Sequence, residues 1–197
     1  MISELIKAQI RESIEAKLLI LENKKIIDNI ESVAKIIIEC YKNGNKVLIC
    51  GNGGSAADSQ HLVGEFVSKF RFHRKSLGAI SLNTNTSILT SIGNDYEYDY
   101  IFERQIEGLG NKGDVLIGIS TTGSSNNISR AFKKAKSMGI TTIGFLGKDG
   151  GENNIHTHIS VIVPSNDTPR IQESHIMIGH IICDIVEQEI CGESNNE

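Results

Sequence analysis

The sequence predicts an α/β protein: a three-layer α/β/α sandwich built on a five-stranded parallel sheet, with two extra helices ahead of it. Short apolar runs alternate with segments of helical period, as in parallel strands joined by crossover helices. Each run is apolar at consecutive rather than alternate positions, as a strand covered on both faces requires. Two of the runs end in a Gly- or Ser-rich turn that leads directly into a helix. In an open parallel sheet that is where ligands bind, beyond the strand C-termini at a switch in strand order.

The elements follow in order. Leu5, Ile6, Ile10, Ile14 and Leu18 give a helix from Ser3 to about Lys24, with Ile20 and Leu21 widening its apolar stripe. Ile30, Val33, Ile37 and Tyr41 give a second from about Asp28 to Tyr41, closed by Gly44. Two leading helices exceed what one layer needs, so their apolar faces serve either as oligomer surface or as cover for the sheet edge. Lys46–Cys50 is the first strand. Gly51-Asn52-Gly53-Gly54-Ser55 turns into a helix over 56–70. A strand over 77–82 is followed by a segment polar at first and helical to Ile92. Gly93-Asn94-Asp95 reads as a turn, and Tyr96–Leu109 carries a helix around Tyr100, Ile101 and Ile106. The strand Val115–Ile119 breaks into Ser120-Thr121-Thr122-Gly123-Ser124-Ser125-Asn126-Asn127, then a helix to about Met138 and Gly139. Thr141–Leu146 is a strand, Lys148–Asn154 a loop, Ile159–Val163 the last strand and Pro164–Pro169 a turn. A long helix runs from Arg170 to about Cys191, and 192–197 is a polar tail. No linker divides the chain, so 1–197 reads as one domain: leading helices over 1–45, an α/β core over 46–191, and the tail.

Composition narrows the function. The chain has 197 residues, 39% hydrophobic and 22% charged, and a net charge of −4. That is an ordinary globule with a full-sized core. No basic stretch accumulates, which argues against a nucleic-acid partner. Cys40, Cys50, Cys183 and Cys191 share no metal-ligand spacing and read as thiols of a reducing compartment, the cytoplasm. The opening MISELIKAQIRESIEAK alternates charged and apolar residues, so neither a signal peptide nor a membrane span is expected.

The two turns suggest chemistry. At the second, a strand, a hydroxyl-rich loop and a helix N-terminus combine free N–H groups, a positive dipole end and Ser/Thr donors, and a phosphate suits all of them. Helix capping alone needs one such residue. No Lys follows Gly123, so this is not a nucleotide P-loop, and the guest is a small phosphorylated molecule. The GNGG string of the first turn is weak evidence by itself and gains weight as the partner of the second. His61 and Glu65, four apart, share a helix face, either as a site or as a solvated pair. The last helix offers Gln172, Glu173, His175 and His180, with His180 readable also as a core histidine. Gln172 and His180 stand about 12 Å apart along the axis, so they share a centre only by leaning together or by serving different subunits. Asn94 and Asp95 suit hydrogen bonds to a polyol, or a plain turn.

These residues carry a resemblance. The strings Gly51–His61 (GNGGSAADSQH) with Glu65, Ser87–Asp95 (SILTSIGND), Gly118–Gly123 (GISTTG) and Thr168–Glu173 (TPRIQE) through His180 resemble the sugar isomerase (SIS) domain proteins. Within them the chain is similar to the branch that isomerises seven-carbon sugar phosphates. The likeness covers nearly the whole chain. It implies a Rossmann-like fold, a homotetramer with active sites at subunit interfaces, and one zinc ion per subunit held by His61, Glu65, Gln172 and His180. It implies conversion of D-sedoheptulose 7-phosphate to D-glycero-D-manno-heptose 7-phosphate, opening the route to the heptose of bacterial lipopolysaccharide core or capsule. Ser55, Ser120, Thr122 and Ser125 are then expected at the phosphate, Asn52, Gly53, Gly54, Asn94 and Asp95 along the sugar, and Thr121 and Gln172 as further substrate contacts. Glu65 is the expected base at C1, through an enediol, and His180 the expected proton carrier between O1 and O2. Thr122 stands where the family more often has Ser, and the hydroxyl survives. Non-catalytic SIS modules, which bind a replication initiator or sense phosphosugars, share the fold without needing Glu65, His180 or the metal set.

Overall fold

The computed structural model describes residues 1–192. The sheet has five strands: β1 (Val47–Gly51), β2 (Ala79–Ser81), β3 (Val115–Ser120), β4 (Thr141–Gly147) and β5 (Ile159–Val163). They pair in the order β2-β1-β3-β4-β5, all parallel. From β1 the chain crosses to β2 on one side and then to β3 on the other. The order therefore reverses between β1 and β3, whose register sets Gly51 opposite Ile119, and the two glycine/serine turns leave the sheet from this adjacent pair.

The helices are α1 (Ile2–Glu22), α2 (Lys24–Lys42), α3 (Gly54–Val67), α4 (Thr86–Asp95), α5 (Glu103–Leu109), α6 (Asn126–Ser137), α7 (Gly151–Ile155) and α8 (Thr168–Cys191). One face of the sheet packs on α2, α3 and α8 through a cluster that includes Val33, Ile37, Phe66, Ile178 and Val186. The other packs on α5 and α6 through Ile106, Ile128 and Phe132. The Asn23 side chain caps α2 by accepting the N–H of Ile26 at 3.2 Å, and Pro169 occupies the first turn of α8. The two leading helices differ. The residues of α2 from Ile26 to Cys40 bury its apolar face on the sheet, whereas α1 leaves Leu5, Ile6, Ile10, Ile14, Leu18 and Leu21 exposed.

The local departures from the expected elements are tertiary in origin. Gly93, Asn94 and Asp95 form the last turn of α4 rather than a turn between elements, because the Tyr96 N–H continues the ladder to Ile92 O. The helix expected over 96–109 divides into a 3₁₀ turn at Tyr98–Tyr100 and α5. The loop expected over 148–154 contains α7, a single turn whose polar sequence carries no period and which is held from outside. The helix expected to reach Phe70 stops at Val67, and the strand expected over 77–82 shortens to Ala79–Ser81. Of the expected polar tail, 193–197 lies outside the described residues. Among those described, no helix is long and apolar enough to cross a membrane.

His175 is fully buried in α8. Its Nε2 donates to the Leu146 carbonyl at 3.0 Å and its ring packs on Phe145. Burial lowers its pKa to about 4, opposed by the bond to Leu146. The folded state keeps the imidazole neutral while the unfolded chain protonates it, so stability is full above the ordinary histidine pKa and falls as pH drops below it. We expect a loss of about 2 kcal/mol between pH 7 and pH 5, above the range where carboxylates protonate. Urea unfolding at the two pH values measures it, and H175Q should flatten the slope.

Candidate active site

Both turns at the β1/β3 reversal are shaped by glycine. A Cβ on Gly51 would lie 2.6 Å from Ser55 O, so only glycine lets β1 fold back tightly onto the first turn of α3. Gly53 takes φ +58° at the N-cap, and Ser55 is buried just inside the helix. In the second turn Ser120 Oγ accepts the N–H of Gly123 at 3.1 Å and lies 3.2 Å from Ser125 Oγ. Thr122 Oγ1 accepts from Ser124 Oγ at 3.1 Å, and the Thr121 carbonyl packs against Gly147. No side chain caps α6 at Ser125. Two helix N-termini thus open side by side among clustered hydroxyls, an arrangement suited to a phosphate dianion.

Asparagines brace this mouth, and Asn83 and Asn153 among them went unread in the sequence. Asn52 and Asn127 exchange two amide hydrogen bonds of 2.9 Å each, tying the first turn to α6. Asn83 accepts the Gly51 N–H at 3.1 Å and donates to its carbonyl at 2.8 Å. Buried Asn153 of α7 accepts the Ser125 N–H at 3.2 Å and donates to Ser125 O at 3.0 Å and Ser129 Oγ at 2.7 Å, while its own N–H bonds Gly123 O at 2.7 Å. The available signal for Asn83 was positional: like Asn52, it stands just past the end of an apolar strand.

The ionisable groups His61, Glu65 and His180 gather two turns down α3. Gly179 lets α8 approach closely, since a Cβ there would lie 2.5 Å from Leu62 Cδ2. His180 can then face His61 across the helix pair, with their Nε2 atoms 3.0 Å apart. His61 Nε2 lies 3.1 Å from Glu65 Oε1, and one ligand atom from each of the three residues falls within 4.8 Å of the others. Two ligands of a tetrahedral zinc, each about 2.1 Å from the ion, would stand about 3.4 Å apart. Two imidazoles and a carboxylate at these separations fit such an ion. Phe70 packs beside the His180 ring at 5.8 Å between centroids.

Other expected residues are placed elsewhere in the single chain. Gln172 rests on Gly54, where a Cβ would lie 2.1 Å from its Nε2, in the first turns of α8. Asn94 and Asp95 are exposed, and their recorded side-chain bond is the 2.8 Å contact to each other. Asp58 was not foreseen. It shares a pocket of about 450 Å³ with Gly54 and Gln172, and its buried Oδ2 has no hydrogen-bond partner among the described residues. Burial raises its pKa, opposed by His61 and His180.

Comparison with known proteins places the chain in a family. The SIS domain family model matches residues 11–147. The chain is similar to the phosphoheptose isomerase of Clostridium acetobutylicum, 66% identical over 192 residues and 98% of each chain. It is 52% identical to that of Sulfurimonas denitrificans over 191 residues, covering 97% of this chain and 98% of that one. Among solved structures, a phosphoheptose isomerase from Neisseria gonorrhoeae superposes with a TM-score of 0.90 at 38% identity, covering 95% of this chain and 100% of that one. One from Francisella tularensis gives 0.91 at 34% identity, over 95% and 99%.

Proposed function

Because the chain belongs to the SIS domain family, among its phosphoheptose isomerases, we propose that this site converts D-sedoheptulose 7-phosphate to D-glycero-D-manno-heptose 7-phosphate. It is an aldose–ketose isomerase of bacterial heptose biosynthesis. The observation that carries the reading is the convergence of His61, Glu65 and His180 on one point below a hydroxyl-lined anion mouth.

In this reading Ser55, Ser120, Thr122 and Ser125 hold the 7-phosphate, Asn52, Gly53, Gly54, Asn94 and Asp95 line the carbon chain, and Thr121 and Gln172 add substrate contacts. Glu65 removes the proton from C1 of the open-chain ketose, giving an enediol. His180 carries protons between O1 and O2, and protonation at C2 completes the aldose. His61, Glu65 and His180 would hold a zinc ion, one per subunit, and the bound metal would supply charge that polarises the sugar oxygens. Gln172 is the fourth expected ligand. Its place beside Gly54 favours a site completed between copies, and the exposed apolar stripe of α1 supports assembly as a homotetramer. Four buried, unpaired cysteines support the cytoplasm as the compartment.

Turnover of sedoheptulose 7-phosphate, assayed with and without a chelator, tests this. Turnover that chelation lowers at least about 10-fold is expected, and added zinc should restore it. Turnover untouched by chelation removes the metal from the chemistry. Binding without turnover under both conditions leaves a phosphosugar-sensing module instead.

A further inference from the structure

The segment after α3, Ser68–Ser76, is tied to α8 at Glu187, which forms a buried ion pair with Arg74. Arg74 Nε donates to Glu187 Oε1 at 2.7 Å, and the two side chains are 3% and 1% exposed. Glu187 lies on α8, two turns beyond His180. Its carboxylate also accepts the backbone N–H groups of Phe70, at 2.8 Å, of Arg71, and of Phe72, at 3.1 Å. The rest of the guanidinium turns to the end of α3. Nη2 donates to Glu65 O and Nη1 to Phe66 O, each at 2.8 Å. These are terminal helix carbonyls that lack an intrahelical donor, and a cation there suits the negative dipole end.

One planar group therefore bonds the backbone of Glu65 on α3 and the carboxylate of Glu187 on α8. The site groups occupy those same helices: His61 and Glu65 on one, His180 on the other. The anchored segment also sets Phe70 against the His180 ring. A guanidinium suits this task because its donors diverge in a fixed fork, whereas an ammonium is a point donor.

We propose that Arg74 is a positioning residue for isomerisation, clamping α3 at Glu65 to Glu187 of α8 and so setting the gap across which His61 and Glu65 meet His180. The inference rests on the isomerase reading above. The side chains of Arg74 and Glu187 direct their hydrogen bonds to each other and to backbone groups, not to the hydroxyl loops or the three site side chains.

Arg74→Met and Arg74→Lys, compared with the parent chain, test it. In Arg74→Met, Glu187 keeps its three backbone donors, so the segment stays attached while the tie to Glu65 is lost. The Ser55 end of α3 lies about 15 Å away along the axis, so KM and inorganic phosphate affinity should stay within about 3-fold. We expect kcat and Co²⁺ affinity, read from the absorption of the bound ion without substrate, each to fall about 10-fold or more. Arg74→Lys should recover part of both. Parent-like kcat and Co²⁺ affinity in Arg74→Met would overturn the proposal. So would the failure of both variants to fold, which assigns Arg74 to the scaffold. A parent chain that binds Co²⁺ but turns over no sedoheptulose 7-phosphate would sink the isomerase reading alone, with the Co²⁺ comparison still deciding on Arg74.

Discussion

Glu65→Gln is expected to abolish isomerisation while leaving phosphosugar binding intact. The amide has the size of the carboxylate but takes no proton at C1, and general-base catalysis is worth about 10²- to 10⁴-fold. A fall of about 10³-fold in kcat is the expected result. Binding should persist, because the proposed phosphate contacts lie at the other end of α3. Calorimetric titration with sedoheptulose 7-phosphate measures the binding, and solvent deuterium incorporation at C1 follows the proton. Deuterium incorporation at the parent rate in the variant would remove Glu65 as the base. Glu65 also faces His61 at 3.1 Å, so weaker metal binding should accompany the loss.

Gly123→Ala is expected to cost nearly as much by another route. Gly123 has φ +68°, and a Cβ there would lie 2.3 Å from the carbonyl oxygen of Gly150. That neighbour is backbone and cannot swing aside. Either the hydroxyl loop or α7 must move, in addition to about 1 kcal/mol for a left-handed alanine. Moving the loop misplaces Ser120 and Ser125 together. With one or two charge-assisted hydrogen bonds lost, KM should rise about 10²-fold. Steady-state kinetics beside a thermal melt would separate this from simple unfolding. Thr122→Ser, which keeps the hydroxyl, should behave like the parent, and an unchanged KM in Gly123→Ala would mean that α7 does not set the loop.

Much of this architecture was legible because burial on both faces leaves a plain trace. The runs around Ile49, Ile117 and Phe145 could be little other than central strands, and the glycine turns after two of them marked the ligand end. The pairing of His61 with Glu65 followed from helical spacing. Its meeting with His180 did not, because the contact depends on Gly179 letting two helices close together, and nothing in the spacing of α8 announces that. The same holds for α7, whose polar residues form a helical turn because Asn153 is bonded from both sides by the hydroxyl loop at Gly123 and Ser125. Asn94 and Asp95 were misread for the opposite reason: residues common in turns were carried along as the end of a helix. The segment over 72–76 carries no periodic pattern, and Arg74 finds its partners at Glu65, Phe66 and Glu187, the last of them 113 positions away.

The reciprocal amide pair of Asn52 and Asn127 has a consequence for substrate entry. Because each side chain is both giver and receiver, the two lips of the mouth cannot part without breaking both bonds at once. An arriving sugar therefore meets a single stiff rim, not a pair of independent flaps. An aspartate at either position would strip the rim of a donor and set a negative charge beside the proposed phosphate site.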